Sequence, residues 1–294
     1  MQLTEKKKEM WIAYLFILPL LLQFVLFTVG PMIFSGIMSF TDWNIVQKAS
    51  FVGFDNYMNL FQDEKFWKSL YNTVYYMIGI PIGLIIAMLL AIGLNRPLKG
   101  SKAFRVIFYM PAVCSLAAVA ILWQWLLNKD YGLINYVLSW FGVEGPSWLG
   151  NEVWIKAGLI IMMVWKGVGA SSIFYLAGLQ NVPKSLYEAA EIDGAGKFGM
   201  FRHITFPLLT PMTFFLVITG LIGGFQLFVE IIIMASNGGD GPNNSAVTLV
   251  VYMFQKAFNY YEMGYASAMA WVLGIIMFII TFIQFKFQDK WVHE

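Results

Sequence analysis

Charge is scarce in this sequence. Lysine, arginine, aspartate and glutamate make up 12% of its 294 residues, against about a quarter in a soluble globular chain. Half the usual charge cannot cover a soluble body of this size, and a chain so apolar is not disordered either. Cysteine is scarcer still. Cys114 stands alone, which excludes an intramolecular disulfide, a secreted disulfide scaffold and any thiolate metal cluster. Its apolar setting, between Val113 and Leu116, fits an inert thiol better than a nucleophile. Two histidines, His203 and His293, leave little material for an imidazole metal site. A formal net charge of +2 is too small to imply a polyanionic partner, so nucleic acid is excluded as well. No internal repeat and no low-complexity tract is evident.

What is abundant is apolar mass. Hydrophobic residues reach 59%, and the mean hydropathy is +0.66. These values describe an integral membrane protein. About 20 predominantly apolar residues cross the hydrocarbon as a helix, and six stretches qualify: 11–40, 71–94, 106–127, 153–176, 206–235 and 264–285. The first follows Lys6, Lys7 and Lys8 but far exceeds a signal-peptide core and ends in Phe40, Asp42 and Trp43 without a small-residue cleavage site. It reads as an uncleaved span. Lysines and arginines favour one set of connecting segments by roughly two to one, which predicts six spans with both termini in the cytoplasm. The short basic turn 95–105 then lies inside, and the longer loops near 41–69, 128–152 and 236–263 lie outside.

One internal segment stands apart. Residues 177–207 are long and polar, and the run Gln180-Asn181-Val182-Pro183-Lys184-Ser185-Leu186-Tyr187-Glu188-Ala189-Ala190-Glu191-Ile192-Asp193-Gly194-Ala195-Gly196 is patterned. Pro183 suits the first turn of a helix, where its missing N–H is no loss. Gly194 can supply the left-handed residue that ends it, and Lys184 and Glu188 stand one turn apart. A second short segment, 197–206, leads into Pro207 and the fifth span. The expected shape is a helix–turn–helix on the cytoplasmic face, either a solvated connector or a docking surface. Gly194-Ala195-Gly196-Lys197 superficially suggests a phosphate loop, but that motif needs glycine at 191 and a hydroxyl at 198, which hold Glu191 and Phe198.

Glu188-Ala189-Ala190, then Gly194, Ile204 and Pro207, resembles the "EAA loop" of binding-protein-dependent ABC importer permeases. The one departure is Phe206, where that family has leucine. The run from Glu188 to Gly196 is similar to the carbohydrate, maltose-transporter branch, as are Phe51-Val52-Gly53-Phe54-Asp55-Asn56-Tyr57 and Asn237-Gly238-Gly239. The resemblance covers nearly the whole chain. It implies an all-α, six-helix type-1 importer permease of the bacterial cytoplasmic membrane, working beside a second homologous permease subunit. It also implies two cytoplasmic ATPase subunits, which would carry the ATP and magnesium, and an extracytoplasmic sugar-binding protein. This chain itself would bind no cofactor and would not be an enzyme. Glu188, Ala189, Ala190, Asp193, Gly194, Ile204 and Pro207 are then the expected ATPase-coupling residues, seated in a cleft of the ATPase. The division expected is 1–67 for the tail, first span and external loop, 68–287 for the transport core, and 288–294 for a cytoplasmic tail.

Two charges fall within expected spans, Lys166 in the fourth and Glu230 in the fifth. Ionisable groups at that depth face a cavity, snorkel from a helix end, or pair with one another. The resemblance assigns the sugar pathway to matching positions in spans four and five: Met163, Lys166, Gly167, Ala170, Gly220, Gly223, Gly224 and Leu227, with Gln226 and Glu230 adding polar groups. Several are glycine or alanine where the maltose pattern carries polar or aromatic groups, so a different sugar is implied. Trp165 and Phe225 are candidate stacking faces, although lipid contact explains any single aromatic equally well. An ion-coupled secondary transporter is the alternative, and Glu230 alone is thin support for it. An intramembrane enzyme lacks a nucleophile and base at depth.

Overall fold

A computed structural model of the chain describes residues 2–96 and 100–288. Lys99, Lys290, His293 and all but the first residue of the expected 288–294 tail lie outside them. Among the described residues four helices are long and apolar enough to cross a membrane: Lys7–Met38, Glu64–Leu94, Trp154–Gln180 and Met263–Lys286. Two bent pairs raise the count to six if each is one span, namely Ser101–Val113 with Leu116–Leu126 and Lys197–Leu208 with Thr210–Phe225. The only extended pairing among the described residues is an isolated bridge, Thr41 to Phe51.

The chain divides into two compact units. The first comprises residues 1–63 and 253–273. Its N-terminal helix buries none of its most apolar window, and Phe16, Leu20 and Phe27 stand outward. This unpartnered apolar surface is what a lipid-facing helix presents. Close backbone approach shapes the rest of the unit. The Gly264 N–H donates to the Trp43 carbonyl at 3.0 Å, and a side chain on Gly264 would lie 1.9 Å from the Thr41 oxygen. Trp271 packs flat against Gly36 and donates to Ser35 Oγ at 3.3 Å.

The second unit comprises residues 64–252 and 274–294. Its core lies among the Gly79–Leu94, Trp154–Gln180 and Thr210–Phe225 helices, with Leu84, Ala87, Ala91, Tyr175, Leu179 and Leu216 buried together. Tyr175 keeps its hydroxyl satisfied by donating to Thr213 Oγ1 at 3.1 Å, as a buried phenol must. The loop after residue 235 is tied to the Glu64–Tyr76 helix by a Lys65–Asp240 ion pair at 2.9 Å and by Asn72, which donates to the carbonyls of Asn244 and Val247.

Two expected spans are not single rods. The third, expected as continuous over 106–127, turns by 97° between Val113 and Leu116. Pro111 removes one helical hydrogen bond and crowds the preceding turn. Three residues on, Cys114 (ψ 145°) and Ser115 (ψ 132°) are extended. The fifth, expected over 206–235, bends by 59° near Leu209 and stops at Phe225. Helix resumes only at Val229–Met234, so Glu230 sits on a separate short helix rather than inside the fifth span.

Candidate functional site

Both broken spans meet a cavity of about 380 Å³ in the second unit. Met163, Lys166, Gly167 and Ala170 line it from the Trp154–Gln180 helix, Gly220 and Gly224 from the Thr210–Phe225 helix, and Leu227 and Glu230 from beyond the fifth-span break. Helical spacing explains the first set: 163, 166, 167 and 170 share one face. Gly220 and Gly224, one turn apart, let their helix approach Ile80 and Met77, where a Cβ would stand 3.0 and 3.2 Å from side-chain carbons. Gly167 faces open space.

Eight of the ten expected pathway residues therefore share one wall. Gly223 and Gln226 are not on it; both are exposed. Phe225 corrects the expectation of a stacking face, because it is 1% exposed and belongs to the packed interior. It lies on the opposite side of the helix end from Gly223. Trp165 is half exposed and meets Trp123 edge to face at 5.7 Å. Tyr76 and Ala112 line the cavity without having been singled out in the sequence. A hydroxyl within the apolar run after residue 71 was the available signal for Tyr76; nothing local marks Ala112.

Three lining side chains are polar, and each is engaged within the chain. The Tyr76 hydroxyl donates to the Ala246 carbonyl at 3.3 Å. The Lys166 ammonium donates to the carbonyls of Pro111, Ala112 and Cys114 at 3.4, 3.3 and 3.2 Å. Glu230 is 6% exposed in the first turn of its short helix, its carboxylate within hydrogen-bond reach of the backbone N–H groups of Phe228 and Glu230. The cation thus meets a helix C-terminus and the anion a helix N-terminus, each at the end whose partial charge it complements. No nucleophile–base pair lines the wall. The arrangement can pass or hold a solute.

The 177–207 segment forms a second feature. Pro183 is extended (ψ 129°) and the helix runs Lys184–Ile192. It ends on Gly194 at φ +76°, with the Ala195 N–H donating to the Ala190 carbonyl at 2.8 Å and the Gly194 N–H to that of Glu191 at 3.0 Å. That pair of bonds is the Schellman closure, which needs a left-handed residue at this position. A second helix, Lys197–Met200, begins immediately. Tyr187 and Thr205 hydroxyls meet at 2.9 Å and hold the two arms together. Glu188, Ala189, Asp193 and Gly194 are exposed, while Ala190, Ile204 and Pro207 are half-buried. Ile192 and Phe198 are apolar yet 87% and 74% exposed, a surface the sequence reading did not single out.

Comparison with known proteins gives the family of the chain as a whole. Residues 79–291 match the family described as binding-protein-dependent transport system inner membrane component. The chain is 40% identical over 291 residues to the probable ABC transporter permease protein YesP of Bacillus subtilis (strain 168), covering 98% of this chain and 93% of that one. It is 36% identical over 279 residues to the lactose transport system permease protein LacF of Rhizobium radiobacter, covering 93% and 92%. Its fold superposes with a TM-score of 0.87 and 26% identity on a chain from a bacterial alginate ABC transporter, solved in complex with an alginate pentasaccharide-bound periplasmic protein, covering 99% and 98%.

Proposed function

The chain belongs to the family of binding-protein-dependent transport system inner membrane components, and on that premise we propose that it forms half of a sugar or oligosaccharide pathway and is driven through its 183–207 loop. It is a multi-pass permease subunit of an ABC importer and not an enzyme. It works with a binding protein and an ATPase. The finer reading is a second homologous permease subunit, two ATPase subunits carrying ATP and magnesium, and a sugar-loaded extracytoplasmic binding protein. In that reading 68–287 is the transport core, in a bacterial inner membrane with both termini cytoplasmic.

The observation that carries the pathway is the shared wall: Met163, Lys166, Gly167, Ala170, Gly220, Gly224, Leu227 and Glu230 around one cavity at two helix breaks. In this reading Gly223 and Gln226, both exposed, would face the partner half. A saccharide substrate is supported by the similarity to a lactose permease and to an alginate transporter. ATP-dependent uptake of a sugar into vesicles, insensitive to ionophores, is the expected result. Uptake abolished by ionophores would favour the ion-coupled alternative.

Coupling rests on the exposed helix at 184–192. Glu188 offers a carboxylate for a charge-assisted bond in an ATPase cleft, Gly194 fixes the turn, and Ala189, Ala190, Asp193, Ile204 and Pro207 shape and anchor the knob. Glu188→Lys should abolish transport-coupled ATP hydrolysis and weaken ATPase co-purification while leaving the permease in the membrane. Normal co-purification and normal hydrolysis would remove the coupling role. Orientation has its own check. In a Cys114→Ser background, Ser236→Cys should react with an impermeant thiol reagent in intact cells and Lys184→Cys should not; the reverse pattern overturns the topology.

A further inference from the structure

The break in the third span raises a hydrogen-bonding problem. A helix end leaves its last carbonyls without partners, and within a membrane protein such a break is tolerated where protein groups or a cavity satisfy them. At this break the carbonyls of Pro111, Ala112 and Cys114 are met by one group, the Lys166 ammonium, at 3.4, 3.3 and 3.2 Å. An ammonium has three N–H donors. Three carbonyls consume all of them and leave none for a sugar hydroxyl. The reach is fixed by backbone contact one turn further along the same helix, where a Cβ on Gly169 would stand 1.8 Å from the Phe108 oxygen.

Carbonyls at the C-terminal ends of discontinuous helices are where ion-coupled carriers hold a free sodium ion or proton. We propose that the Lys166 ammonium is a tethered cation filling that role permanently: a positioning group that closes the broken third span and fixes the wall formed by Ala112 and Leu116. A cation on a covalent stem cannot exchange with solution, so its charge stabilises the break without coupling transport to an ion gradient. The contribution of Lys166 to transport runs through these carbonyls rather than through contact with sugar. The inference rests on the reading of this cavity as the pathway, and its test separates the two.

The test uses the assembled transporter, with its ATPase and binding protein, in proteoliposomes. Lys166→Ala removes bonds to a charged group, worth at least about tenfold in the opening equilibrium. Uptake should fall by about that factor, and amide exchange across 112–120 should accelerate by a similar one. Millimolar ethylammonium should restore both, and tetraethylammonium at equal ionic strength should restore neither, having no N–H. Lys166→Arg should keep near-native exchange. If Lys166→Ala does not assemble, Lys166→Gln, with a neutral donor, should show intermediate exchange; a native rate there overturns the proposal. Unchanged exchange in Lys166→Ala with lost uptake overturns the tether and leaves the pathway reading standing. Accelerated, ethylammonium-restored exchange with native uptake supports the tether and removes the cavity from the pathway. Acceleration that no small ammonium reverses overturns the tether.

Discussion

Gly169 and Gly194 are both positions that favour glycine, and the reasons are opposite. At Gly169 the backbone conformation is ordinary helix, and space is the constraint: a Cβ would meet the Phe108 carbonyl at 1.8 Å. At Gly194 nothing lies within 4 Å of a Cβ, and conformation is the constraint, with φ at +76°. The first glycine belongs to a wall held by long-range contact between helices. The second belongs to a knob whose shape is complete within its own loop. The contrast separates the exposed 184–194 knob from the wall of the cavity. The knob is locally specified and turned outward; the wall exists only when distant segments assemble.

The sharpest way to break this comparison is a parallel series at the two positions. Gly169→Ala should cost about 3 kcal/mol, the upper end of what overpacking costs, since a backbone carbonyl cannot move aside as a flexible side chain can. The measurement is the thermal midpoint of the solubilised permease, and an unchanged midpoint would show that the Ser101–Val113 and Trp154–Gln180 helices part cheaply. Gly169→Asn should be worse than alanine because it is larger.

At Gly194 the order should invert. A left-handed residue costs about 1–2 kcal/mol for an ordinary side chain, while asparagine visits that region readily. Sugar-stimulated ATP hydrolysis should therefore fall in the order Gly, Asn, Ala, Val, with the permease midpoint little changed. If alanine outperforms asparagine at Gly194, the conformational account of the knob fails.

The same contrast explains what the sequence made legible. The 184–192 helix and its end at Gly194 follow from Pro183, the spacing of Leu186, Ala189 and Ala190, and one glycine, all within a dozen neighbouring positions. Span positions follow from apolar runs, and the four helices of unbroken span length lie close to where hydropathy puts them. The breaks were not legible. Pro111 and Pro207 mark weak points, yet Pro19 lies inside a helix that continues, so proline alone does not select the site of a bend. At 114–115 the carbonyls of the break are met by Lys166, half a hundred residues away in sequence. Phe225 was misplaced for a related reason: the helix ends at that residue, and helical spacing cannot say which way the last side chain turns. The cavity-lining face of the Trp154–Gln180 helix was legible because that helix is continuous.

A smaller effect sharpens the description of the knob as outward-turned. Ile192 and Phe198 expose apolar side chains on a polar loop, and burying one against a partner would stabilise the complex by about 1.5–3 kcal/mol. Ile192→Ser should weaken ATPase association roughly tenfold at the lower end of that range, while leaving the permease midpoint unchanged because the side chain touches little of its own chain. Association measured with the isolated ATPase decides it. A lowered midpoint with native association would mean that Ile192 packs within the permease and that the knob is less self-contained than drawn.

The smallest expected effect lies in the wall, at Glu230. Its carboxylate lies near the Phe228 and Glu230 N–H groups, where the Val229–Met234 helix begins, and within the field of Lys166. Glutamine keeps an oxygen acceptor for those donors and loses only the charge, whose interaction with a helix terminus is worth about 0.3–1 kcal/mol, or severalfold at most. Leucine removes the acceptor as well and leaves buried N–H groups unmet, at about 1–3 kcal/mol. Uptake should therefore decline slightly in Glu230→Gln and clearly more in Glu230→Leu. Equal damage from both would mean that the negative charge itself is read, by the solute or by the partner half, and that this carboxylate is more than a cap. The graded result would place Glu230 beside Lys166 as a charge committed to a helix end, leaving the wall to present carbon and glycine to a sugar bound mainly by groups outside this cavity face.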